Sequence, residues 1–129
     1  MSTLIIDGVD YSDITVASVS RKATVKDTAL SGEMFDGSYH RDIKGTYIDY
    51  TMKIVCKVAD RETYTQIYEL LTSPVASHEI TVPYNNTTIT FEAYIQTVGD
   101  DLFISDSNGA LWRNLTCTFK AVAPQKVAV

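Results

Sequence analysis

The stretch Tyr47-Ile48-Asp49-Tyr50-Thr51-Met52-Lys53-Ile54-Val55-Cys56-Lys57-Val58 decides the fold class. Ile48, Tyr50, Met52, Ile54, Cys56 and Val58 fall on one side of an extended chain. Tyr47, Asp49, Thr51, Lys53 and Lys57 fall on the other, with Val55 the misfit. A period of two predicts a strand with one face packed and the other wet or against a partner. Two further stretches repeat the pattern. In Thr87 to Val98, Ile89, Phe91, Ala93 and Ile95 alternate with Thr88, Thr90, Glu92, Tyr94 and Gln96. In Ala110 to Val122, Leu115, Cys117, Phe119 and Ala121 alternate with Asn114, Thr116, Thr118 and Lys120.

Weaker strands are expected at Thr3–Ile6, Ile14–Val25, His78–Val82 and Leu102–Ser105. Asp7-Gly8, Asp36-Gly37 and Asn108-Gly109 each place a residue tolerant of positive φ before a glycine, the chemistry of a tight hairpin turn. Asn108-Gly109 therefore joins Leu102–Ser105 to Ala110–Val122 as a hairpin. Pro83-Tyr84-Asn85-Asn86 reverses the chain between His78–Val82 and Thr87–Val98. One helix is expected over about 60–73: Asp60 is placed to cap it, Glu62 suits its first turn, and Tyr64, Ile67, Tyr68 and Leu71 form one apolar stripe. Thr72-Ser73-Pro74 ends it. The expectation is a single mainly β domain over 1–129, a β-sandwich or barrel of about seven to eight strands with one flanking α-helix. Residues 26–45 form an irregular loop or hairpin in this reading, and 124–129 a short tail.

Composition agrees. Val, Ile and Thr number 39 against 17 for Leu and Ala together, and branched side chains fit a pleated sheet better than a helix. The 129 residues suit one domain, and 45% apolar with 21% charged residues excludes a wholly disordered chain. No apolar run is long enough to cross a bilayer, so no membrane insertion is expected. The opening Met1-Ser2-Thr3-Leu4-Ile5-Ile6-Asp7 lacks the basic and long apolar regions of a secretory signal. A net charge of −5 argues against specific nucleic-acid binding.

The search for chemistry assigns no catalytic, cofactor-binding or metal residue. His40 and His78 lack metal-ligand spacing and read as solvated or hydrogen-bonded surface histidines. Cys56 and Cys117 both fall on faces expected to be buried; they pair if their Cα atoms lie within ~7 Å, and otherwise remain buried thiols. Asp100-Asp101 lacks the further ligands of a calcium loop and reads as a solvated turn. No nucleophile elbow, zinc-protease, Walker or dinucleotide fingerprint is present.

Several pieces of the chain resemble the small β-rich structural proteins from tail modules of long-tailed phages and prophages of Gram-positive gut bacteria. They are Leu4-Ile5-Ile6-Asp7-Gly8-Val9-Asp10-Tyr11-Ser12, Phe35-Asp36-Gly37-Ser38, Arg41-Asp42-Ile43-Lys44-Gly45-Thr46-Tyr47 and Tyr68-Glu69-Leu70-Leu71-Thr72-Ser73-Pro74. Phe91-Glu92-Ala93-Tyr94-Ile95, Trp112-Arg113-Asn114-Leu115 and the segment from Phe119 to Pro124 complete the set. The layout also resembles the tail-tube fold shared by tube, distal-tail and baseplate parts. The resemblance implies a ring-forming homo-oligomer, commonly of six copies, contacts with other phage tail proteins, and a place in the virion tail after assembly in the bacterial cytoplasm. It implies no cofactor and no reaction. The contact residues expected on this basis are Met34, Phe35, Tyr39, Arg41 and Trp112. Net acidity further suggests a bore lined by Asp and Glu. Two other classes compete. A binding module for a host-surface carbohydrate or protein needs Tyr47, Tyr84, Tyr94 and Trp112 clustered in one groove. An enzyme such as a small hydrolase needs a cleft with convergent carboxylates.

Overall fold

The computed structural model describes residues 4–11, 14, 16–55, 61–107 and 109–127. Its described elements run β1 (Ile5–Ile6), β2 (Val9–Asp10), β3 (Val16–Asp27), β4 (Gly32–Glu33), β5 (Tyr39–His40) and β6 (Ile43–Ile54), then the helix α1 (Arg61–Leu71). They continue β7 (His78–Tyr84), β8 (Thr87–Tyr94), β9 (Val98–Asp106), β10 (Gly109–Ala121) and β11 (Lys126–Val127). The protein is mainly β, antiparallel throughout the main sheet, with one flanking helix, as the alternation predicts. Four two-residue strands, β2, β4, β5 and β11, add to the seven expected from the sequence.

The strands make two layers that share β10. In the first layer β3, β6, β10 and β9 lie side by side, and β11 adds to β6 beyond the end of β10. In the second, β10 passes its last residues, Lys120 and Ala121, to β8, which continues through β7 and β1 to β2. The alternation in β6 is what holds the layers together. Ile48, Tyr50, Met52 and Ile54 are buried, and so are Leu115, Cys117 and Phe119 opposite them on β10. From the other layer Ile80, Val82 and Ala93 meet them in one core. Tyr50 spans the gap: its ring lies 5.9 Å from that of Phe91, and its hydroxyl donates to the Pro83 carbonyl at 2.9 Å. A buried phenol needs that acceptor, since an unpaired hydroxyl in the core costs about 1–3 kcal/mol.

Helix α1 buries Tyr64, Ile67 and Leu71 into the same core and leaves Tyr68 half-buried. It stops where expected. The Thr72 amide and hydroxyl and the Ser73 hydroxyl return to the Tyr68 and Glu69 carbonyls before Pro74. Asp60, expected to cap the helix, lies outside the described residues, as do Cys56 and the question of its pairing with Cys117, and Asn108 of the last hairpin turn.

Several boundaries differ from the sequence reading. The decisive strand is shifted toward the N-terminus, to Ile43–Ile54, because Ile43 and Gly45 pair with the far end of β3 across a bulge at Lys44. The long strand expected to Val98 ends at Tyr94, and Val98 opens β9 instead. Asp100-Asp101 is no turn but lies within β9. The short tail expected over 124–129 is tied to β6 as far as it is described. β11 pairs with Gly45 and Thr46, and Gln125 brackets Ile48, its Oε1 accepting the Ile48 amide at 2.9 Å and its Nε2 donating to the Ile48 carbonyl at 2.8 Å.

Candidate functional site

Strands β3 and β6 form a hairpin with twelve residues in each arm, and β6 is buried or half-buried from Gly45 to Met52 while β3 is mostly exposed. Along β3, every residue from Ser20 to Lys26 is exposed. The stretch expected to be an irregular loop or hairpin is the outer end of this hairpin, and it is closely bonded. The Thr28 hydroxyl donates to Asp42 Oδ2 at 2.6 Å, the Asp42 amide donates to Ser31 Oγ at 2.7 Å, and β4 pairs with β5. At its tip Asp36 accepts from the Ser38 hydroxyl and amide, contacts that hold its carboxyl below the ordinary carboxylate range, and Gly37 turns at a φ of 88°. The cause of that order is short polar side chains closing the backbone locally.

The expected contact residues divide between two places. Phe35 stands fully exposed at the tip, and Met34 and Tyr39 are more than half exposed beside it. Arg41 is at the base, where its Nε donates to Asp27 Oδ1 at 2.9 Å and clamps the two arms. Trp112 is elsewhere. Leu115 of β10 faces Ile54, the last residue of β6, so Trp112 lies beyond that end of β6, opposite the tip. There it shares a pocket of about 300 Å³ with Tyr64, Thr65, Tyr68 and Glu69 of α1 and Asp100 of β9.

Sequence reasoning did not find the two edges of the first layer. Among the described strands, β3 pairs only with β6 and β9 only with β10, so each leaves one side of its backbone open. β9 exposes three successive apolar residues, Leu102, Phe103 and Ile104. A run of that kind on an open strand is a template for pairing with another chain. The edges also differ in charge. β3 carries Arg21, Lys22, Lys26 and one carboxylate, Asp27, whereas β9 carries Asp100, Asp101 and Asp106 and no cation. The bare face of the layer is polar: Lys22 lies opposite Asp49, Lys26 sits 4.3 Å over the Tyr47 ring, and Thr51 and Thr118 share a hydrogen bond of 3.2 Å.

His78 was expected at the surface and is instead buried. Its Nδ1 lies 2.6 Å from Asp7 Oδ2, and Asp7 Oδ1 accepts the Glu79 amide at 2.9 Å. Asp7 and Gly8 form the tight turn expected of them, with φ of 50° and 83°, so the pair bolts the β1–β2 hairpin to β7. The aromatics required for a sugar groove do not gather. Arg21 lies 5.2 Å over the Tyr84 ring, Lys26 covers Tyr47, and Trp112 meets Tyr64 and Tyr68 rather than the expected three. Among the described residues no three His, Cys, Asp or Glu side chains are grouped to hold a metal ion, and no helix is long and apolar enough to cross a membrane. No protein-family model matches the chain, and no curated protein matches it in sequence.

Proposed function

We propose that the protein is a structural part of a phage or prophage tail, acting by assembly, and that its copies join head to tail through the open edges β3 and β9. The resemblance of the sequence supports the tail assignment. The observation that supports the mode of assembly is the pair of open edges with opposite charge. The layer holds four strands in antiparallel succession, so β3 and β9 run in opposite directions. When a second copy adds its β3 beside β9, the alternation continues unbroken and the new backbone bonds are antiparallel. Arg21, Lys22 and Lys26 on one edge meet Asp101 and Asp106 on the other, Asp100 being turned toward Tyr64, whereas like edges repel. Such a contact is heterologous, and it forms a ring where its rotation divides a full turn evenly. The hairpin end with Met34, Phe35 and Tyr39 then reaches toward neighbouring copies or other tail proteins, in the virion tail after assembly in the bacterial cytoplasm. An acidic bore is not part of this reading, because the bare face of the layer presents Lys22, Lys26 and Lys53 beside Asp49.

Native mass spectrometry and negative-stain imaging of the purified protein test the proposal. Closed rings that fall apart as salt rises from about 0.05 to 0.5 M are expected, since screening shortens the reach of exposed charges from ~14 Å to ~4 Å. A strict monomer at high protein concentration and low salt overturns it.

A further inference from the structure

The geometry points to a second site: the cup between α1 and the β9–β10 hairpin binds an alkylammonium group, held by the carboxylates of Glu69 and Asp100 against the rings of Tyr68 and Trp112. Four features carry this. First, the cup is a formed cavity of about 300 Å³, enough for one small ligand group. Secondly, its floor is fixed. Tyr64 is buried in the core, and its hydroxyl donates to Asp100 Oδ2 at 2.9 Å, which sets the carboxylate in place and leaves Oδ1 for a ligand.

Thirdly, none of the six side chains that line it is cationic, although two are carboxylates. Carboxylates accept hydrogen bonds and donate none. A neutral sugar lies on the rings and donates hydroxyl hydrogen bonds to the carboxylates, but it brings no positive charge to them. An ammonium group supplies the charge, and its attached methylenes or methyls rest on the aromatic faces. Trp is the strongest of the aromatic side chains in that contact. Fourthly, the helix spacing serves the site: Tyr64, Thr65, Tyr68 and Glu69 stand at i, i+1, i+4 and i+5 and so present one side of α1 to β9 and β10. The site stands apart from the proposed ring contact and does not rest on it. The same chemistry has two sources, a lysine side chain of a partner protein or a free quaternary amine.

Trp112 is the only tryptophan in the chain, so its fluorescence reports the cup directly. The full-length protein is titrated with n-butylammonium chloride, which mimics a lysine side chain, and with tetramethylammonium chloride, sodium chloride being adjusted to hold ionic strength constant. A saturable change with a dissociation constant in the millimolar range is expected from at least one amine. Preference for n-butylammonium assigns a lysine source and preference for tetramethylammonium a quaternary amine; either supports the site. Glu69→Gln, an exposed helix position where the two residues have similar helix propensity, is expected to weaken binding about three- to tenfold. Tyr68→Ala, read in the same way, is expected to weaken it as well. The proposal is overturned by no saturable response to either amine, by affinity unchanged in both variants, or by saturation with N-acetylglucosamine in place of the amines.

Discussion

Gly45 lies where the chain makes its tightest backbone approach, and the cost of adding one methyl there follows from the structure. The residue is buried in β6 with φ at 144°, and a Cβ built on it meets the Lys126 carbonyl oxygen and the Pro124 Cβ, each at 2.6 Å. Ordinary contact begins near 3.4 Å, so both neighbours must retreat by most of an ångström. They belong to the segment that pairs β11 with β6, and the relief available is for that segment to lift. Lifting it breaks the two bonds of the Gln125 side chain to Ile48 and the bond from the Gln125 amide to the Thr46 carbonyl. Three such bonds contribute about 1 kcal/mol each. Alanine at this φ adds about 1–3 kcal/mol of backbone strain. Gly45→Ala should therefore lower stability by about 4–6 kcal/mol, a large share of the ~5–15 kcal/mol of an ordinary domain. Urea unfolding followed by circular dichroism measures it. The same substitution in a chain lacking residues 124–129 should cost only the strain, about 1–3 kcal/mol. A full-length variant within about 0.5 kcal/mol of the parent, or equal costs in the two backgrounds, would refute the reasoning.

Three further outcomes are expected. At Asp7, desolvation raises the carboxyl pKa, but the His78 hydrogen bond, the Glu79 amide and the His78 charge outweigh it and hold the group below its ordinary value. A depressed carboxylate stabilises the fold above its unfolded pKa and ceases to do so as pH falls through the folded one. Urea midpoints of the parent should therefore drop more steeply below about pH 4 than those of Asp7→Asn. The Cys117 thiol, pushed up to about 12 by burial, should resist iodoacetamide at pH 8 in the folded protein and react once urea unfolds it, as read by peptide mass mapping. Reversing one edge with Lys22→Glu and Lys26→Glu should abolish rings in native mass spectra, and adding Asp101→Lys with Asp106→Lys should restore them. Failure of the second pair to restore assembly would count against edge-to-edge pairing.

What the sequence shows and what it hides follow from burial. β6, β8 and β10 are legible because one face enters the core, which forces apolar residues onto alternate positions. β3 carries no such stripe beyond Val19, since neither of its faces is covered there, and its extent comes only from its partner β6. Asp100-Asp101 has the composition of a turn, yet an edge strand carries charge readily because one side of it meets water. The order within residues 28–42 rests on Asp36, Ser38, Thr28 and Asp42, residue types that serve loops and hairpin ends alike. His78 and Asp7 are separated by 71 positions, and the cup around Trp112 draws on a helix and two strands. Neither grouping has a local signal. Met34, Phe35 and Tyr39, the contact residues of the proposal, were legible only as apolar side chains in a stretch without periodicity. That Trp112 stands apart from them depends on the register of β10 against β6.

Strand β10 is a common beam of both layers, and its place near the end of the sequence sets a timetable. While the chain leaves the ribosome, the β3–β6 hairpin emerges early with its open side unguarded. The acidic counterpart on β9 has no partner until residues 109–121 have followed. Non-local pairings of this kind form late and slowly. If copies join as proposed, a nascent chain offers a neighbour one half of the joint and withholds the other, which would keep unfinished copies from linking on a crowded polysome and reserve assembly for chains whose two layers have already closed.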